Sequence, residues 1–461
     1  MDLDALRDHL RAALGGRPVV LTGGSLAGMA RTAGILPELG VSRVFLLALG
    51  VGTGPLPTLA EAARHVLELR ASDTVAEIRA AERLLADLPD DAVAALDAWD
   101  PERAALVIGT PYNQLTEIAG RRVYGPRRAE WAELEDKTTI DALWDELRVP
   151  RAPYEIVAAT DAELAAAHDR LRRGAGTVWA GDASEGFNGG AVATRWVRTP
   201  GHAAEAAAYL AAHCHRARVM PFLEGVPCSI HGLVMPDGTA TFRPVEMVTL
   251  RRPGSGRLLF AGVGTFWDPP ALDRSEMRMI AAAVGEALRE RVGYRGGFTI
   301  DGILTVDGFI PTELNPRFGA GFGVLGHDLD GLPFQLLHHA IVEDEPIGAG
   351  AAELEAAVVA SADRSRAGGG STSTEVRADI TREHPLIFED GAWRRAGLDE
   401  PATGILSFGP SAVGGMVRLL LDPGLTPAGP PIAPLVAAAF AWSDQELGTG
   451  LGPLEAARPV R

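Results

Sequence analysis

The chain has 461 residues, of which 47% are hydrophobic and 22% charged, with a formal net charge of −17. That composition argues against a disordered chain, and the charge argues against nucleic acid or anionic lipid as a partner. Two cysteines, Cys214 and Cys228, make neither a disulfide framework nor a metal knuckle, and no run approaches the length of a membrane helix, so a cytoplasmic protein is expected. The opening MDLDALRDHLRAAL is acidic and amphipathic, unlike a signal peptide. Residues 18–22 (PVVLT) and 43–49 (RVFLLAL) read as buried strands, and GGSLAG after the first reads as a tight turn without the dinucleotide-binding spacing. Helical patterns fill 58–98, and LVIGT at 106–110 reads as a further strand. These make a first α/β domain.

Residues 129–147 (AEWAELEDKTTIDALWDEL) have helical period, and VPRAPYEIV follows as turn and strand. A helix at 161–173 leads into TVWAGDASEGFNGGAVATRWV, a hairpin with a glycine-rich tip. Residues 217–250 carry alternating runs around Pro-Asp-Gly and read as antiparallel strands. A helix at 275–291 precedes a second hairpin, GGFTIDGILTVDGFIPTELNPRF, and another helix lies near 331–342. The polar stretch 361–376 reads as a linker or mobile loop, and a small α+β lobe closes the chain. The expected division is 1–124, 125–345, a linker at 346–376, and 377–461.

Of the 43 basic residues, Lys137 is the only lysine. It follows Asp136 and not a glycine, so there is no Walker A loop; Glu133 stands where a Tyr-x-x-x-Lys reductase needs tyrosine; and a Schiff base has Lys137 alone to use. The strongest cluster is Asp301, Glu313 and Asn315. A three-residue Val-Asp-Gly loop with Gly308 left-handed would set Asp301 opposite Glu313, with Asn315 on the same face. Two carboxylates and an amide oxygen suit Mg2+ held partly by substrate phosphates. A two-residue Asp307-Gly308 turn would turn Asp301 to the other face, and a solvated strand face is the plainer alternative. Arg317 follows directly and suits a bidentate phosphoryl or carboxylate contact, or a surface ion pair. The loop Ser184–Gly190 offers backbone amides to phosphates, though a simple turn is commoner. His231 is a candidate base for the amine, with a structural role the more frequent one for a strand histidine.

The order of these parts, with Asp-Lys, a glycine-rich hairpin, a strand ending PFLEG and an Asp…Glu-Leu-Asn-Pro-Arg hairpin, resembles the ATP-grasp superfamily over roughly residues 125–345. Within it, RRVYG, LEDK, FLEGVPCSIHG, RPVEMVTLR and ATGILSFG look most like actinobacterial peptide ligases of the pheganomycin type. The resemblance implies a fold of mixed α/β and α+β class: a pre-ATP-grasp α/β domain, a two-lobe ATP-grasp core and a small C-terminal lobe. It implies an ATP-dependent carboxylate–amine ligase with small-molecule carboxylate and amine partners, and it leaves a homodimer open. Lys137 would reach the nucleotide phosphates; Ser184, Gly186, Asn188 and Gly189 would cover them; Met220, Phe222 and Glu224 would form the hinge at adenine and ribose. Asp301, Glu313 and Asn315 would hold Mg2+, and Arg317 would stabilise the transferring phosphoryl group. Glu246 and Arg251 or Arg252 lie where phosphates or substrate are often contacted, Arg252 being the catalytic candidate. Two departures stand out: Trp179 and Ala180 occupy the place of a second phosphate-binding lysine, which an arginine or backbone amides must replace, and Pro221 stands where the hinge often carries an acid. The alternatives are a ligase with a non-amine nucleophile and a nucleotide-binding protein without catalysis.

Overall fold

A computed structural model describes residues 3–58, 62–184, 186, 189–329 and 332–458. The first sheet is parallel, ordered Ala63–Val66, Arg43–Ala48, Pro18–Thr22, Leu106–Ile108. Its central strands are apolar on both faces because helices cover both sides. GGSLAG forms a turn that becomes a helix start: Gly23 has φ +83°, and Ser25 Oγ accepts from Gly28 N at 3.2 Å, capping Leu26–Ile35. The helical reading of 58–98 is corrected in its first third. Ala63–Val66 is an edge strand, and helices begin only at Thr74–Ala86 and Asp90–Trp99.

The central sheet is antiparallel along its path: Gly308–Asn315, Gly296–Thr305, Val226–Met235, Val245–Arg252, Arg257–Gly264, Thr194–Val197, Thr177–Gly181, Arg216–Pro221, Glu155–Ala158. The last four strands pack on helices Asp161–Leu171 and Pro200–His213 around a small core of their own. Gly308–Asn315, Gly296–Thr305 and Val226–Met235 pack on helix Ala271–Val292 around Phe298, Ile300 and Met277, while Val245–Arg252 and Arg257–Gly264 share the core of the last sheet through Val248, Leu250 and Ala261. At the junction the ladder narrows to one pair, Arg257 with Arg195, beside a bond from Trp196 N to Gly256 O of 2.7 Å. Two separately packed lobes meet there through few backbone bonds.

Residues 129–147 do not form one helix. Short helical pieces at Ala129–Ala132, Glu133–Glu135 and Asp141–Glu146 flank a turn at Asp136, whose Oδ1 accepts from Thr138 N and Thr138 Oγ1, both at 2.7 Å. Lys137 therefore sits on a turn. The expected linker at 346–376 is also corrected. Ala351–Arg364 is a helix packed into the first core, and Gly369–Thr374 is a strand of the last sheet. That sheet runs Gly369–Thr374, Gly415–Leu421, Gly404–Pro410, Arg382–Glu389, Ala392–Arg395, with helix Ala433–Leu447 packed among the same apolar side chains. Among the described residues no helix is long and apolar enough to cross a membrane.

Candidate functional site

A cleft of about 330 Å3 opens between the two lobes. Its floor is the hairpin Gly296–Thr305 and Gly308–Asn315. The turn has two residues, Val306 and Asp307, because Thr305 pairs with Gly308; Gly308 has the expected positive φ, +113°, but belongs to the strand and not to the loop. That turn alone would leave Asp301 out of register with Glu313. A bulge corrects it: Gly302 pairs with Pro311, and Asp301 with Glu313, leaving Thr312 as the extra residue. Pro311 has no N–H to donate, which favours a break in the ladder at this point. The expected pairing is present, reached through a different turn.

Asp301 accepts from Ser229 Oγ at 2.5 Å and from Asn315 Nδ2 at 2.8 Å. Burial and the neighbouring charge of Glu313 push its carboxyl up to about 6. Lys137 Nζ lies 3.4 Å from Glu313 Oε2, with the lysine side chain buried. Arg317 donates from Nη2 to Asn315 Oδ1 at 3.0 Å and from Nε to Glu135 Oε1 at 2.6 Å, and lies over the Tyr112 ring at 4.7 Å. Burial works to raise the pKa of Glu135, but Arg317 and Arg127 outweigh it and hold the carboxyl below its ordinary value. A chain of charge-assisted bonds thus runs from Arg127 through Glu135, Arg317 and Asn315 to Asp301.

His231 lies beside Thr299 across the ladder, on the same face. Burial lowers its pKa to about 3, so the ring is neutral and weakly basic at pH 7, which does not fit the base role weighed for it.

The other walls come from three places. Val178, Ala180, Arg218 and Met220 face the cleft, while Trp179, Ala217 and Val219 point into the small-lobe core. Phe222 continues the hinge and stacks on Trp196 at 4.3 Å. Glu224 is half exposed and pairs with Arg251, at 2.7 Å to Nη2. Thr74, Val75 and Ile78 bring the start of a first-domain helix to the rim, capped by Asp73, whose Oδ1 accepts from Val75 N and Ala76 N. Sequence reasoning missed this contribution, and missed Ser229 and Tyr112, which reach the cleft from distant parts of the chain, Thr312, which a bulge turns into it, and Glu135, which stands behind it on Arg317.

Several expected residues are not in the cleft. Met247, Thr249 and Arg251 line it, and strand alternation sends Glu246 and Arg252 to the opposite face. Arg252 Nη1 donates to Leu451 O at 2.6 Å. Glu246 accepts from Ile432 N at 2.6 Å and from Ala433 N at 2.9 Å, at the start of the last helix. Of the glycine-rich tip, Gly190 and Ala191 line the cleft, whereas Ser184, Gly186 and Gly189 do not; Ser184 Oγ donates to His213 O at 3.3 Å. Asn188 lies outside the described residues.

No family model matches the chain, and a search of curated proteins finds no match. Solved structures do match. The biotin carboxylase domain of Hydrogenobacter thermophilus 2-oxoglutarate carboxylase, in complex with ADP, MgADP and bicarbonate, aligns with TM-score 0.53 at 14% identity, over 88% of this chain and 86% of that one. Phosphoribosylamine–glycine ligase from Thermotoga maritima aligns with TM-score 0.50 at 15% identity, over 89% and 93%. The chain has the ATP-grasp fold. An L-amino acid ligase from Bacillus licheniformis aligns with TM-score 0.48 at 13% identity, over 88% and 94%. As expected from the sequence, an α/β domain precedes the two-lobe core and a small lobe follows it.

Proposed function

We propose that the chain is an ATP-dependent ligase joining a carboxylate to an amine through an acyl phosphate. The observation that carries the reading is the single cleft that gathers Lys137, Asp301, Glu313, Asn315 and Arg317 from separate elements. The donor set fits a divalent cation. Asp301 resists ionisation first because it is buried and then because Glu313 lies opposite it, and a hard cation offsets both effects. Among the described residues lining the cleft, two carboxylates converge here, so such an ion would keep sites open for phosphate oxygens.

ATP supplies the phosphoryl group that converts a carboxylate into an acyl phosphate, with ADP leaving, after which an amine displaces phosphate to form the amide. The protein's part is positioning and electrostatics. Lys137 and Arg317 offset charge on the phosphoryl oxygens. Asp301 and Glu313, with Asn315 beside them, would hold Mg2+. Met220 and Phe222 present an apolar hinge to the base. Closure of the small lobe, carrying Gly190 and Ala191, over the sheet would exclude water that hydrolyses an acyl phosphate. The carboxylate is a small amino acid or peptide and the nucleophile an amino acid or peptide amine, in natural-product biosynthesis of the pheganomycin type; the segments LEDK, FLEGVPCSIHG and ATGILSFG support this finer reading.

The test is Mg2+-dependent release of ADP and phosphate, screened over carboxylate and amine pairs with amide product read by mass spectrometry. Amide formed in proportion to ADP supports the reading. ATP binding with no turnover across the amino-acid and dipeptide pairs would favour a nucleotide-binding protein without catalysis, a reading that the missing cation at Ala180 motivates.

A further inference from the structure

Strand register gives the cleft a direction. Strand Val226–Met235 starts directly after the hinge, so the cleft-lining pairs Pro227 with Ile303, Ser229 with Asp301 and His231 with Thr299 lie in that order away from it. In the reading above the hinge end takes the nucleoside, and Asp301 takes the metal and phosphates. The end at His231 and Thr299 is left for the acid being phosphorylated and the group it carries. That end is built from uncharged residues. Gly319 and Gly321 pack so closely on Thr299 and His231 that a Cβ at either glycine would overlap those side chains. The first domain adds Tyr112, which lies over Arg317, and Val75 and Ile78 of helix Thr74–Ala86. Val75 Cγ2 stands 3.9 Å from where a Cβ on Gly190 would lie, and Glu82, one turn beyond Ile78 on the same helix face, is within electrostatic reach of Arg127 and Glu135. The face that carries Val75 and Ile78 therefore runs from the glycine-rich tip to the charged chain behind Arg317. Glu77 and Arg79, on either side of Ile78, do not line the cleft. A charged side chain brought to this end would lose water without gaining a counter-ion, a cost an apolar one does not meet.

We propose that the acid activated here carries an uncharged, apolar side chain, and that Val75 and Ile78 of the first-domain helix select it. This rests on the ligase reading and narrows its carboxylate substrate. The competing role for the helix is to close the rim without touching substrate.

The experiment replaces the unidentified amine with hydroxylamine. Its nitrogen attacks the acyl carbon, the bond from that carbon to the phosphate oxygen breaks as phosphate leaves, and the nitrogen loses a proton to give a hydroxamate, read as its ferric complex alongside ADP. The full chain with ATP and Mg2+ is assayed over leucine, valine, phenylalanine, serine, aspartate, glutamate, lysine and arginine, for wild type, Ile78→Glu, Ile78→Ala and Val75→Ala, with ATP affinity followed by calorimetry. In wild type the best apolar acid should exceed aspartate and lysine in kcat/KM by roughly 10-fold or more. Ile78→Glu should cost the apolar acids roughly 10-fold and move the preference between leucine and lysine towards lysine. Ile78→Ala and Val75→Ala remove volume without adding charge and should move it from leucine towards phenylalanine, a readout that stands even if Ile78→Glu melts early. ATP affinity should stay near wild type throughout. A wild type that prefers charged side chains or ignores them overturns the inference. So do variants that slow every acid by the same factor, which is what a helix that only closes the rim would give. Hydroxamate from no acid, although ATP binds, overturns the ligase reading and this inference with it, a result distinct from turnover without side-chain preference.

Discussion

Glu246 gives a quantitative test of how the C-terminal lobe is attached. Its carboxylate, 1% exposed, accepts two backbone N–H groups at the start of helix Ala433–Leu447. Two effects oppose: burial disfavours the charge, and the backbone bonds favour it. Burial prevails, and the pKa is pushed up from 4.5 to about 7. A folded-state pKa above the unfolded one means folding takes up a proton. The associated stability is fully present below about pH 4.5 and is lost as pH rises through 7. A shift of that size corresponds to about 3 kcal/mol over the window. Glutamine is a neutral isostere without this dependence. Urea unfolding of wild type and Glu246→Gln, followed by tryptophan fluorescence from pH 4.5 to 8, should show the variant gaining up to about 3 kcal/mol relative to wild type as pH rises. A difference independent of pH, or one moving the other way, would refute the reasoning and show that the two N–H bonds outweigh burial.

Two further outcomes follow from packing. Arg121 and Asp100 form a fully buried pair in the first domain, with Arg121 also donating to the carbonyls of Ala119, Leu96 and Asp100. Arg121→Leu strands a buried carboxylate and should cost about 3–5 kcal/mol, seen as a lowered melting temperature, whereas ATP affinity below the transition stays near wild type. A Cβ at Gly321 would overlap the His231 ring. Gly321→Ala should therefore displace His231 from its packed position and lower the melting temperature while leaving ATP affinity within about 3-fold, measured by thermal unfolding alongside calorimetry.

The sequence carried the parts of the fold with clear period or turn chemistry. PVVLT and the 296–315 hairpin are strands as read, since apolar runs bounded by glycine and proline have few other solutions. Segments with weak or misleading pattern went wrong. LAEAARHVLELR is rich in helix formers, yet Ala63–Val66 pairs beside Arg43–Ala48, so tertiary pairing overrode propensity. GGSTST looks like a linker by composition but lies in a sheet, where its small side chains fit close packing: Gly262 and Gly264 approach the backbone at Gly368, Gly369 and Gly370. In the site, Asp301, Glu313, Asn315 and Arg317 were legible because one hairpin and its extension hold them. Choosing Arg252 over Arg251 failed because strand alternation, decided by burial of Val248 and Leu250, fixes which arginine faces the cleft. Arg218 and Ser229 needed the lateral order of strands, which local spacing does not encode.

The central claim is that Lys137 and Glu313 belong to one Mg2+–nucleotide site, and calorimetry of ATP binding with and without Mg2+ tests it most directly. Wild type should bind ATP in a Mg2+-dependent way, and Lys137→Ala and Glu313→Ala should each weaken binding by about 1–3 kcal/mol, the range for losing a charge-assisted contact. Glu313→Ala should also reduce the Mg2+ dependence. Binding unchanged in both variants, or no ATP binding by folded wild type, would contradict the account and leave the chain with the fold alone.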